Sequence, residues 1–325
     1  MTIRTYNLED LCVNLLLTSN CNLGCSWCIA NEYMEKVGNS KEISEDSIEF
    51  LVQFISKDKP AQLNLLGGEP SLHKNALGIA KRFYNFGINV GFSTNGLWNQ
   101  KFRDSFDRRD IPLEIEITFL GWNNYKAEKA KELRRTFEQV KGENVSLGLI
   151  LSSPIQSYEE HIALAEKYGF EIRWGFVEPV KHTSNLFAYQ SQEMVRQFGT
   201  TIYEMIKKAN IRGIETWGDL SAPRCAFDDE QIRIFGSNLN DIQFHCPPFF
   251  DISPDLYIWR CLNHAEETPK SLKDFNSLRD AYKQLNKIKD NLNERGVYDE
   301  CKSCKDLKKE CSGGPAIAKI LKNGK

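Results

Sequence analysis

The stretch Leu11-Cys-Val-Asn-Leu-Leu-Leu17-Thr-Ser-Asn-Cys21-Asn-Leu-Gly-Cys25-Ser-Trp-Cys28 decides how this chain is read. An apolar run at 11–17 leads straight into a loop with three cysteines. Three thiolates this close can wrap one face of an iron–sulfur cube, and soft thiolates select iron–sulfur or zinc over harder metals. Four irons with three ligands leave one iron open to a small molecule. Zinc is the competing reading, but structural zinc sites close with four ligands in two pairs. No such fourth ligand is near, since the next histidine is His73. The spacing favours the cluster and keeps zinc as the alternative.

Outward from this loop the chain alternates strand and helix patterns. Residues 62–66 read as a short buried strand running into Gly67, 88–93 as the next, then 113–119, 145–151 and 171–177. Ser44 is placed to cap a helix with Ile48, Leu51, Val52 and Ile55 on one face. Ile79, Phe83 and Phe86 lie on another helix, ended by Gly87. Two more helical patterns fall at 125–140 and 158–168. Six strand–helix units imply an α/β fold with a parallel sheet and helices outside. Functional residues are then expected at the C-terminal strand ends, where Cys21, Gly67 and Asn95 all fall. The alternation is expected to stop near Ile211. Cys246 and Cys261 then flank a hairpin, 272–292 is a charged helix, and 301–311 is a compact cysteine loop.

Composition bounds the function. The 325 residues are 41% hydrophobic and 26% charged, as in a soluble globular protein, with a net charge of −2. This gives no electrostatic case for nucleic acid or membrane as partner. No signal-peptide layout and no apolar run long enough to span a bilayer is present. Ten cysteines without a secretory signal point to a reducing, cytoplasmic setting and metal ligation.

The three cysteines, with Trp27 before the last, resemble the signature of the radical S-adenosylmethionine (SAM) superfamily. Gly67-Gly68-Glu69-Pro70 resembles its second motif and Ser93-Thr94-Asn95-Gly96 a third. The resemblance implies a partial (β/α)6 TIM-type barrel at 1–212. It implies a [4Fe–4S] cluster on Cys21, Cys25 and Cys28, with SAM bound at the open iron. It also implies an external reductant such as flavodoxin or ferredoxin. On this reading Gly67 and Gly68 let backbone approach the ligand, Glu69 accepts from the methionine ammonium, and Pro70 fixes the turn. Ser93 and Asn95 bond the ribose or carboxylate, and Trp27 packs beside adenine. An ordinary strand-to-helix turn and a helix-capping cluster are the competing explanations of these two motifs. The chain departs from many peptide-modifying relatives at Thr118-Phe119-Leu120-Gly121, where their acidic residue is missing. Glu178, after the sixth strand, is expected at the same barrel mouth as a contact for SAM or substrate, with an exposed loop glutamate as the alternative.

Residues 213–325 hold the remaining cysteine groups. Cys246, Cys261, Cys301 and Cys304 can fully ligate a second [4Fe–4S] cluster, with a four-cysteine zinc site as the alternative. The layout resembles the twitch domain, a shortened SPASM auxiliary-cluster domain. Pro315 stands where the SPASM ending has a further cysteine, which leaves Cys311 as an alternative ligand. Cys12 reads as a small buried hydrophobe. Cys225 is an extra ligand, an inert thiol, or a hydrogen-atom donor to a substrate radical.

The resemblance implies an enzyme that cleaves SAM to a 5'-deoxyadenosyl radical and takes a hydrogen from a substrate carbon. Epimerisation, crosslinking or oxidation of a ribosomally made peptide is the favoured reaction. A small-molecule, aminosugar-type dehydrogenase or epimerase is the alternative. The early position of the triplet leaves no room for a separate N-terminal peptide-recognition domain, which weighs against leader binding by this chain. A non-catalytic iron–sulfur or zinc protein explains the cysteines but not the two motifs at successive strand ends.

Overall fold

The computed structural model describes residues 11–30, 41–107, 109–142, 144–179, 185–218, 222–234, 244, 249–260, 270–293, 295–307, 309 and 311–323. One sheet organises them. Six strands, β1 (Cys12–Leu16), β2 (Gln62–Leu66), β3 (Asn89–Thr94), β4 (Glu114–Thr118), β5 (Val145–Leu151) and β6 (Glu171–Phe176), pair in sequence order. Every one of these pairings is parallel. Helices follow each strand: α1 (Glu45–Ile55), α2 (Ala76–Asn85), α3 (Gln100–Ser105), α4 (Ala127–Val140), α5 (Glu159–Tyr168) and α6 (Gln192–Ile211). This is the expected partial (β/α)6 barrel. No helix of the described residues is long and apolar enough to cross a membrane.

Local chemistry explains the elements. Ser44 Oγ accepts from Ser47 N–H at 3.1 Å, and Glu45 and Asp46 occupy the positive first turn of α1. Ile48, Leu51, Val52 and Ile55 form its buried face, joined by Phe54. Gly87 follows α2 at φ +74°, a conformation glycine adopts without steric cost.

Two findings change the expected layout. The alternation does not stop at Ile211, because β7 (Thr216–Gly218) pairs parallel to β6. The C-terminal hairpin is also part of the main sheet. Its first strand, β8 (Phe249–Ile252), pairs parallel to β1, and β9 (Tyr257–Trp259) folds back on β8. A short β10 (Lys270–Ser271) completes the edge. Beyond the sheet edge lie a charged helix, α8 (Leu278–Asn293), and a terminal α9 (Ala316–Asn323), with a short α7 (Asp229–Ile234) after β7. Leu272–Asp274, expected to begin the charged helix, is a separate 3-10 turn capped by Ser271.

Along much of the sheet, successive strand residues face two environments. Val13, Leu15, Leu63, Leu65, Val90, Phe92, Ile115, Ile117, Leu147 and Leu149 are buried in the core with the helix faces. The intervening positions carry Asn14, Asn64, Gly91, Ser93, Glu116 and Arg173. Cys12 is on this second set and is partly exposed, so it is not the buried hydrophobe expected.

Candidate radical SAM site

The cysteine loop leaves β1 and is fastened to the ends of β2 and β3. Gly68 N–H donates to the Thr18 carbonyl and Glu69 N–H to the Asn20 carbonyl, both at 2.7 Å. A Cβ on Gly67 or Gly68 would collide with the carbonyls of Thr18 and Asn20. The close approach that the two glycines permit is therefore to the cysteine loop itself.

Glu69 is turned inward and is only 1% exposed. Its Oε1 accepts from Ser71 N–H at 3.1 Å and from Thr94 Oγ1 at 2.6 Å. Its Oε2 accepts from Asn95 N–H at 2.7 Å. Burial pushes the carboxyl pKa up, and these donors oppose the shift. Pro70 opens a 3-10 turn, Pro70–Leu72, and is buried. Asn95 Nδ2 donates to Asn22 Oδ1 at 2.8 Å and stands 3.9 Å from Cys21 Sγ. Ser93 Oγ instead faces Glu116 at 3.5 Å, on the inner face of the barrel. Trp27 is partly exposed on the loop.

The sequence reading missed three members of this arrangement. Thr94 bonds Glu69 and also accepts from Gly96 N–H and Trp98 Nε1, both at 3.0 Å. Asn22 donates to the Leu97 carbonyl at 2.8 Å. Lys129, on α4, donates to the Asn22 carbonyl at 2.7 Å. Thr94 and Asn22 lie inside the quoted motifs and were open to notice; Lys129 carries no local signal.

Cys21 is exposed, and Cys25 and Cys28 are partly exposed. Burial pushes the Cys25 thiol up to about 11, with the charges of Cys28 and Cys21 adding to the shift. Burial also raises Cys21, opposed by Leu23 N–H at 3.4 Å. The three sulfurs thus feel one another's charge. Among the described residues, no three His, Cys, Asp or Glu side chains close around a single metal ion. Three neighbouring thiolates are the soft donor set that an iron–sulfur cluster takes.

Below the loop the barrel interior is polar. Asn14 donates to Asp251 Oδ1 at 2.9 Å and accepts from Asn64 Nδ2 at 3.1 Å, linking β8, β1 and β2. Glu116 pairs with Arg173 across β5. Burial, then the charge of Asp251, pushes Glu178 up to about 7.

Of the C-terminal cysteines, Cys246 and Cys261 lie outside the described residues. Cys301 and Cys311 are buried, Cys225 is partly buried and Cys304 is exposed. Cys225, on the turn Arg224–Ala226, is held against α6, where a Cβ on Gly199 would collide with the Ala226 carbonyl. Burial pushes the Cys225 thiol up to about 12, with the charges of Cys311 and Cys301 contributing.

Residues 15–142 match the Radical SAM superfamily. A GTP 3',8-cyclase of Lactiplantibacillus plantarum is 28% identical over 130 residues, 38% of this chain and 36% of that protein. The chain thus matches about a third of the length of that curated relative. Streptococcus suis SuiB bound to its precursor peptide SuiA shares the fold, with a TM-score of 0.67 at 14% identity. The superposition covers 94% of this chain and 72% of SuiB. The enzyme anSMEcpe with bound AdoMet gives 0.63 at 15% identity, over 94% of this chain and 88% of that one.

Proposed function

We propose that this chain is a radical SAM enzyme that modifies a peptide. Cys21, Cys25 and Cys28 hold the first cluster, and a second lies in the C-terminal region, 213–325. When bound, the first cluster and SAM supply a 5'-deoxyadenosyl radical that takes hydrogen from a substrate carbon. The observation that carries this reading is the fastening of the cysteine loop to the ends of β2 and β3 through Glu69, Thr94 and Asn95. It brings the loop that carries the three thiols to the C-terminal ends of the strands. Glu69 acts by holding two strand ends together, and Oε2, with one internal donor, keeps capacity for an ammonium donor. Gly67, Gly68, Pro70 and Asn95 shape the cradle beside it, Trp27 flanks it, and Ser93 begins the polar interior.

The polar interior is the substrate chamber in this reading. Barrels whose interiors are filled with branched apolar residues are packed cores. Here Asn14, Asn64, Asp251, Glu116 and Arg173 occupy those positions. The likeness to SuiB, seen with a bound precursor peptide, favours a peptide substrate. The sequence likeness to GTP 3',8-cyclases favours a nucleotide as the second reading.

Anaerobic reconstitution followed by dithionite and SAM tests the proposal. The expected product is 5'-deoxyadenosine, formed by the wild type and not by Cys25→Ala. An intact cluster without that product overturns the radical reading. Turnover of GTP in place of a peptide overturns the substrate assignment.

A further inference from the structure

The C-terminal fold gathers cysteines that lie far apart in sequence, and it does so beside a buried tyrosine hydroxyl with nothing to bond. Cys225 follows β7; Cys301 and Cys304 sit on the 3-10 turn Asp299–Ser303 and just after it; Cys311 lies before α9. Cys311 Sγ accepts from Arg224 N–H at 3.3 Å and from Gly313 N–H at 3.2 Å. The first of these donors adjoins Cys225, so the turn that carries Cys225 is fastened onto the Cys311 sulfur. The charges of Cys301 and Cys311 are both felt at Cys225, and that of Cys304 at Cys301. None of these four cysteines is in a disulfide.

Two further groups point at the same place. Tyr298 is 5% exposed, and its hydroxyl is buried with no hydrogen-bond partner. Native structures rarely leave such a group unsatisfied. The same ring feels the charges of Cys225, Cys301 and Cys311. Lys319 is 3% exposed, donates to the Ser312 carbonyl, and faces Cys301 and Cys311. A buried ammonium beside thiols stabilises their ionised form. Backbone N–H donors on a sulfur, a buried cation and an O–H in want of an acceptor suit a ligand that is anionic and sulfur-rich.

We propose that Cys225, Cys301, Cys304 and Cys311 are the ligands of the C-terminal iron–sulfur cluster, with Tyr298 donating to one of its sulfurs and Lys319 offsetting its negative charge. The four thiols lose their protons on ligation. Cys225 is then a ligand and not a hydrogen-atom donor, and the set does not include Cys246 or Cys261. This assignment rests on the reading that the C-terminal region binds a cluster, and it is independent of SAM cleavage.

The test uses the full chain with Cys21, Cys25 and Cys28 all changed to Ala, reconstituted anaerobically with iron and sulfide. Iron, sulfide and zinc are measured, and the reduced sample is examined by EPR. About four irons per chain are expected. Adding Cys225→Ala or Cys311→Ala should lower iron severalfold, whereas adding Cys246→Ala with Cys261→Ala should leave it. Cys225→Ser keeps the volume and should alter the EPR signal even where Ala disturbs folding, which circular dichroism monitors. Tyr298→Phe should retain iron and lower the reduction potential, because hydrogen bonds to cluster sulfur raise it. Unchanged iron and EPR in both Cys225 variants, loss of iron only in the Cys246/Cys261 variant, or one zinc in place of iron would each overturn the assignment. Absence of 5'-deoxyadenosine from the wild type would count against the proposed function and leave this site standing.

Discussion

Thr94 Oγ1 donates to Glu69 Oε1 over 2.6 Å, and this bond joins the end of β3 to the turn after β2. The same hydroxyl accepts from Gly96 N–H and Trp98 Nε1. Thr94→Val keeps the shape and removes all three bonds. The expected loss is about 1–3 kcal/mol, because Glu69 stays buried with fewer donors. Urea denaturation measures it; Thr94→Ser should restore most of it. A Val variant as stable as wild type would show that Glu69 is satisfied without this hydroxyl.

Gly68→Ala should damage the metal loop more than the barrel. Its methyl meets the Asn20 carbonyl, the acceptor of Glu69 N–H. The loop must shift, at about 1–3 kcal/mol for overpacking. Iron bound at Cys21, Cys25 and Cys28 should fall, with the circular dichroism spectrum preserved. Full iron content in Gly68→Ala would mean that the loop tolerates displacement.

His161 sets an acid limit on stability. It is 2% exposed, with Nε2 3.1 Å from the Phe119 carbonyl and Nδ1 without a partner. Burial holds its pKa down to about 4, below the ordinary imidazole value of about 6.5. As pH falls the unfolded chain therefore takes up this proton first. The contribution is complete above about pH 6.5 and is lost between there and about pH 4, amounting to about 3 kcal/mol. Denaturation across this window should show a steeper loss in wild type than in His161→Phe. Equal slopes would assign the acid sensitivity to other groups.

Gly199→Ala places a methyl against the Ala226 carbonyl and should lift the turn that carries Cys225 from α6. Iron in the C-terminal region should decline, while SAM cleavage at the first cluster continues. Iron analysis beside a 5'-deoxyadenosine assay separates the two. Loss of both activities together would show that the barrel as a whole had been disturbed.

Much of this molecule is legible in its sequence, and the boundary has physical causes. Gln62–Leu66 and Val145–Leu151 are strands at the predicted residues because their buried apolar character is local. The helix α3 escaped because six residues with Phe102 as their one buried member show no period. The strand β7 is three residues long, and β8 is recognised as part of the barrel only through its pairing with β1. At the site, sequence spacing located Glu69 and Asn95 but not what they bond. A carboxylate's type says that it accepts hydrogen bonds; the fold decides that Thr94, Ser71 and Asn95 supply them. Lys129 reaches Asn22 from another helix, 107 positions along the chain, and spacing cannot register such a contact.

The pairing of β8 with β1 bears on how the chain is made. Asn14 and Asp251 are 237 positions apart, so β1 lacks one neighbour until the hairpin has emerged. Contacts of such separation form late, because loop closure must precede them. In the interval the β1 edge presents unpaired backbone groups, a template for association with other chains. A chain cut at the end of α6 would keep every motif of the SAM site and still carry that open edge. Its yield of soluble protein should depend on supplying residues 213–325, in cis or as a separate piece.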